Sequence, residues 1–178
     1  MIQGKKVVFV ANCILNQNMR ARGVKKSGSG AVKEVVDEFL KSGIGIVQIP
    51  CPEFGYEGLH RFACGKKRYD VPDYRKICGE IAGHVLEEME AYRTSGVQVL
   101  GVLGLNGSPS CAVDFCSLGG GKWGNEPGIF IEELKRKLGS RGMKQPLVGA
   151  NVMRMNQTIV KIRLDMLKRQ ENRKPSEH

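Results

Sequence analysis

Aromatic residues are scarce in this chain: one tryptophan among 178 residues and an aromatic share of 6%. No stretch resembles the aromatic platform of an RNA-recognition module. Histidine is scarcer still, at three residues, which leaves little for a histidine-based catalytic centre. Long apolar runs are also missing. The longest nearly unbroken one, Val97 to Leu105, falls far short of the ~20 residues that span a bilayer. The run from Val7 to Ala11 is too short for a signal-peptide core and meets Asn12 and Cys13 at once. The expectation is a cytoplasmic protein without membrane contact. No C-x2-C pair occurs, so the usual structural zinc site is not expected. Neither G-x-x-x-x-G-K-S/T nor G-x-G-x-x-G follows a strand, and nothing points to a nucleotide cofactor.

What is present describes an ordinary folded domain. With 41% hydrophobic and 26% charged residues, the chain has the composition of a globular protein rather than a disordered one. At this length roughly 70% of the unfolded surface can be buried, so disulfide staples are unnecessary. A single α/β domain over residues 1–178 is expected, with a basic helix and tail at about 152–178. Lys plus Arg number 28 against 18 Asp plus Glu, a net charge of +10. That excess suits an RNA or nucleotide contact through a basic surface, and equally a basic surface of no special meaning.

Strand-like and helix-like segments alternate. Lys5 to Asn12, Ile44 to Ile49, Val97 to Leu105 and Pro146 to Ala150 read as continuous apolar strands. Between them lie helix-period segments at Gly30 to Ser42, Asp73 to Thr94 and Ile129 to Leu138, with a last one at Asn156 to Gln170. Continuous apolar strands separated by helices predict a mainly parallel sheet in a Rossmann-like three-layer sandwich. In the Gly30–Ser42 helix the apolar face is Val32, Val35, Val36, Phe39 and Leu40. In the Asp73–Thr94 helix it is Ile77, Ile81, Val85 and Met89, with Cys78 beside them as a core residue.

Ligands of open parallel sheets sit outside the carboxyl ends of the strands. Cys13 follows the first strand, Cys51 the second and Cys111 the third, while Asn151 follows the fourth. If the first three strands are neighbours, the three cysteines converge. Three thiolates suit a soft metal: zinc, copper(I) or an iron–sulfur cluster. A cluster held by only three of them keeps an open iron able to act as a Lewis acid. The other reading is that free cysteines fill space as small buried hydrophobes. Glu53, two residues from Cys51, can serve as a general acid or base beside such a metal, or merely cap a helix. Ser108 can place one hydrogen bond at the rim of the same site, or simply shape the turn before Pro109. Cys64 and Cys116 fall in loop sequence with no assigned role.

Several weaker signals compete. Gly119-Gly120-Gly121-Lys122 and Ser27-Gly28-Ser29-Gly30 could each cradle a phosphate before a helix, or simply be flexible loops. His60 makes a Cys–His hydrolase conceivable. Arg20, Arg22, Lys25 and Lys26 form a basic loop after Cys13 that could meet a phosphate or simply be solvated.

The motifs Cys13-Ile14-Leu15, Cys51-Pro52-Glu53 and Ser108-Pro109-Ser110-Cys111, in this order and rough spacing, resemble the thiouracil desulfurase (TudS-like) family over about residues 5–120. Asn16 and Ala112 stand where that family commonly has glycine. Phe54-Gly55-Tyr56-Glu57-Gly58 replaces its proline-rich stretch. The resemblance implies an air-labile [4Fe–4S] cluster on Cys13, Cys51 and Cys111, whose open iron takes the sulfur of a thiolated nucleobase, nucleoside or related heterocycle. It also implies Glu53 and Ser108 as acid/base and substrate-positioning residues. Two other classes stay open: a cluster- or metal-binding redox or sensor protein without turnover, and an RNA-binding protein with structural cysteines.

Overall fold

The structure, a computed structural model, describes residues 5–24 and 30–167. Four parallel strands form the central sheet: β1 (Lys6–Ala11), β2 (Gly45–Ile49), β3 (Gln98–Leu105) and β6 (Leu147–Ala150), in the order β2-β1-β3-β6. Two short strands, β4 (Cys116–Gly119) and β5 (Lys122–Gly124), pair antiparallel as a separate hairpin. Four segments are short helices or single turns: α1 (Asn12–Leu15), a 3-10 turn (Gln17–Met19), α3 (Pro52–Glu57) and α4 (Lys66–Tyr69). The longer helices are α2 (Lys33–Lys41), α5 (Pro72–Thr94), α6 (Ile129–Ser140) and α7 (Met155–Ile162), the last continuing into a π-turn at Arg163–Leu167. They associate as α5 with α6 and α2 with α7, and flank the sheet as a Rossmann-like α/β sandwich. Among the described residues no helix is long and apolar enough to cross a membrane.

The inner strands explain the apolar runs. Val8, Phe9, Val10, Val102 and Leu103 are fully buried because β1 and β3 have sheet on both sides and helices over both faces. The helix faces differ somewhat from the periodic reading. In α2, Val35 and Phe39 are buried while Leu40 is 61% exposed. In α5 the buried stripe is Tyr74, Cys78, Ala82, Val85, Leu86 and Met89, with Ile77 and Ile81 on its flank. Cys78 packs in the core, as its position on that helix predicts.

Two expectations need correction. The Gly119–Lys122 segment is the turn of the β4–β5 hairpin rather than a phosphate cradle before a helix. Gly119, Gly120 and Gly121 all have positive φ, between 60° and 97°, which a reversing chain needs and side-chain-bearing residues resist. Cys116 is not a loop residue: it begins β4 and is fully buried. Of the other glycine-rich segment, Ser27, Gly28 and Ser29 lie outside the described residues, as do Lys25, Lys26 and the chain beyond Leu167.

The loop after β3 is drawn tightly onto the sheet. A Cβ on Gly104 would stand 2.1 Å from the Cys111 carbonyl oxygen, and one on Gly128 2.4 Å from the Ser110 carbonyl. Gly104→Ala should therefore cost about 1–3 kcal/mol through overpacking, seen as a melting point lower by roughly 2–4 °C for each kcal/mol. Gly139→Ala, on an open stretch of α6 with nothing within 4 Å, should melt at or above the wild type. Equal melting points for the two variants would contradict this packing.

Candidate functional site

Register carries the cysteines to one edge. Ala11 pairs with Ile49 across β1 and β2, and Cys13 and Cys51 each lie two residues beyond that pair. On the other side of β1, Val10 pairs with Leu103 near the end of β3, whose following loop returns Cys111 to the sheet through a Leu105 N–H donated to its carbonyl (3.1 Å). The three strands are neighbours, as convergence requires. Cys13 and Cys111 are buried and Cys51 is half-buried.

Each of the three thiols is raised by burial and by neighbouring acidic groups. Burial, then the neighbouring Cys51 and Glu53, push the Cys13 thiol up to about 12. Burial and Glu53 raise Cys51. Burial, then Cys13 and Cys51, raise Cys111 well above an ordinary thiol. Buried thiols crowded by one another and by a carboxylate resist ionisation unless a cation joins them. Among the described residues no set of three or more His, Cys, Asp or Glu side chains is gathered to hold a single metal ion. Ligands of separate irons in a cluster stand farther apart than ligands around one ion. Three thiols without histidine are a donor type that zinc, copper(I) and an iron–sulfur cluster all accept.

Glu53 is held on three sides. Pro52 and Glu53 open α3, with proline at its first position and the acid in its first turn, a favourable helix start. Ser108 and Ser110 each donate a hydroxyl hydrogen bond to Oε1, at 3.1 and 3.0 Å, and Arg61 Nε donates to Oε2 at 3.1 Å. A carboxylate has about four acceptor positions, so one remains. Because the single Ser110 proton goes to Glu53, the Tyr74 hydroxyl is the donor in its 2.5 Å contact with Ser110 Oγ. Ser108 is fully engaged, its Oγ accepting from the backbone N–H groups of Ser110 (3.1 Å) and Cys111 (3.0 Å). It both shapes the Cys111 turn and orients Glu53, which leaves its hydroxyl no free position for a substrate.

Sequence reasoning missed Arg61. Its guanidinium donates to Glu53, to the Met19 and Gly58 carbonyls (2.7 and 3.1 Å) and to Cys51 Sγ (3.6 Å). Parallel backbone bonding places it there: Arg22 N–H donates to the Arg61 carbonyl and Ala63 N–H to the Arg22 carbonyl. Arg20 is buried and electrostatically coupled to Cys13, rather than part of a solvated loop. Arg22 does lie on the surface, donating to His60 Nδ1 at 2.9 Å and lying 5.9 Å from the centre of the Phe62 ring. His60 joins Glu57, Arg61, Phe62, Cys64 and Arg68 around a cavity of about 540 Å³. Cys64 is half-buried there, its thiol raised chiefly by burial. Asn151 follows β6 at the same edge of the sheet, its backbone N–H donating to Thr158 Oγ1 within α7.

Fold and site together define an α/β protein with three cysteines and an oriented glutamate at the carboxyl edge of a parallel sheet. No family model matches the chain, and no solved structure matches it. Over 112 residues the chain is 32% identical to "Uncharacterized protein MJ0003" of Methanocaldococcus jannaschii, covering 63% of this chain and 70% of the other. The chain belongs to the family of that protein.

Proposed function

We propose that this protein is a hydrolytic desulfidase, converting the thiocarbonyl of a thiolated nucleobase, nucleoside or related heterocycle into a carbonyl with release of sulfide. The observation that carries the reading is Glu53, oriented by three donors beside three buried thiols and keeping one acceptor position free. Cys13, Cys51 and Cys111 would hold a [4Fe–4S] cluster, whose open iron supplies a thiophilic Lewis acid when bound. Glu53 takes a proton from the water that adds to the thiocarbonyl carbon and returns it as sulfide departs. The balance is thiocarbonyl plus water to carbonyl plus hydrogen sulfide, with no net redox change. Ser108, Ser110 and Arg61 keep the carboxylate aimed, and burial of Glu53, at 8% exposure, limits competing water. The adjoining cavity is the proposed entry for the heterocycle. Exposed Arg22 and Phe62 at that side offer a guanidinium and a ring to a nucleotide or RNA substrate.

Sulfide and carbonyl product, measured with anaerobically reconstituted protein and 4-thiouridine or 2-thiouracil, test the reading. Release of both in equal amounts is expected. Reversible reduction of a stable cluster with no product from any thiolated heterocycle would favour a redox or sensor protein instead.

In the same assay Ser108→Ala should lower turnover, because the Cys111 turn and Glu53 Oε1 both lose their hydroxyl partner. Each such hydrogen bond is worth about 0.5–1.5 kcal/mol, and iron content should fall less than turnover. Unchanged turnover would remove Ser108 from the orienting set.

A further inference from the structure

The opposite edge of the sheet carries a second cavity, of about 1060 Å³, that the proposed reaction does not use. It opens where β3 and β6 begin and where α5 and α6 end. The eight residues of β3 put roughly 25 Å between it and the cysteine edge. Arg93, Lys135 and Lys144 line it, and its wall contains no Asp, no Glu and no aromatic residue. All three cations are exposed, and among the described residues none has a side-chain hydrogen bond or ion pair. Lys5 and Lys6, also exposed, extend the positive charge to β1, where Lys6 pairs with Gln98 of the cavity wall. Helix C-termini attract cations, but the last carbonyls of both helices are taken by the chain itself. The Gly96 and Val97 N–H groups donate to the Arg93 and Tyr92 carbonyls at 3.1 and 2.8 Å. Those of Gly142 and Met143 donate to the Gly139 and Leu138 carbonyls at 3.1 and 2.9 Å. Glu90, on the last turns of α5, is held by Arg141 at 2.7 Å. Charge of one sign is thus left without an internal partner around a cleft.

We infer that this cleft is a docking site for the phosphate backbone of RNA, separate from the cysteine site and independent of any cluster. The composition of the wall selects the ligand. Without a carboxylate it repels no phosphate, and without an aromatic ring it offers no base a surface to stack on. The cations come from α5, α6 and the segment before β6, and with Lys5 and Lys6 they run along the sheet edge instead of belonging to one loop. Lysine and arginine spread along an open cleft suit successive phosphates, which position a nucleic acid without reading its sequence. The net charge of +10 favours the encounter.

Fluorescence anisotropy of labelled oligouridylate and oligoadenylate, over a range of salt concentrations, tests this with the full chain. The wild type is compared with the triple variant Arg93→Gln, Lys135→Gln, Lys144→Gln and with Lys76→Gln, an exposed cation at the other end of α5. The wild type should bind both RNAs with similar affinity. The triple variant should bind about tenfold or more weakly, and its slope of log affinity against log salt should be shallower by about 2, or about 0.7 for each lost cation. Lys76→Gln should match the wild type. Should the triple variant fail to fold, the three single variants carry the test, each with its share of the slope. Cys111→Ser, which could not hold the proposed cluster, should bind RNA as the wild type does, so failure of the desulfidase reading and failure of this one are seen separately. Equal affinity and slope in wild type and triple variant would overturn the inference, as would a wild type that binds neither RNA. Inorganic tripolyphosphate held more tightly than either RNA would make the cleft a small-anion site and overturn it as well.

Discussion

Replacing Cys13, Cys51 or Cys111 by serine should strip most of the iron that the wild-type chain takes up on anaerobic reconstitution. A serine hydroxyl is a harder and far less acidic donor than a thiol, a poor partner for iron in a sulfur-bridged cluster. On the cluster reading three protein ligands have no fourth to compensate, and they lie past the ends of three different strands of one sheet. Cys78→Ser is the control. Cys78 is fully buried on α5, and its expected loss is of stability, through a hydroxyl placed in the core. Its iron content should match the wild type. Wild-type iron and sulfide in all three single variants would remove these residues from the ligand set.

Glu53→Gln should depress desulfuration by about 10²–10⁴, the usual worth of a general acid–base group, while leaving cluster content and spectrum near wild type. Glutamine keeps the shape, and its carbonyl oxygen can still accept from Ser108 and Ser110 at the Oε1 position. Its amide cannot accept from Arg61 Nε, however, and two donors would then face each other at 3.1 Å. Some loss of stability should accompany the loss of rate. Glu53→Asp, which keeps the charge but shortens the reach, separates the two effects: it should melt closer to wild type and still turn over slowly. Wild-type turnover in Glu53→Gln would make the residue structural, and loss of iron would place it among the ligands.

The architecture was legible where the chain is regular. Continuous apolar runs announced β1, β2, β3 and β6; in the inner β1 and β3, covered on both faces, there is no room for alternation, whereas the edge strand β2 is buried only at Ile49. Tyr74 was not read into the α5 face because periodicity centred on Ile77 and Ile81, whereas the observed stripe runs through Cys78 and Ala82. The short helix that Pro52 and Glu53 open was anticipated only in the alternative reading of Glu53 as a helix cap. The β4–β5 hairpin was hidden by strands of four and three residues around a run of glycines. In the site, the cysteines and Glu53 could be placed by the rule that ligands gather past strand ends. Arg61 could not. Its burial depends on the segment after Cys13 bonding to the segment after Cys51, a tertiary contact with no local pattern, and in sequence it looks like any surface arginine. Arg20 misled for the same reason, being grouped with exposed Arg22.

Iron and acid-labile sulfide analysis of the anaerobically reconstituted wild-type chain tests the cysteine site most directly. Iron and sulfide in equal amounts, with the visible absorption of a cubane cluster and with exogenous ligands perturbing one iron, is the expected result. A folded chain that retains neither iron nor sulfide under these conditions, with all six cysteines still reactive as free thiols after unfolding, would contradict it.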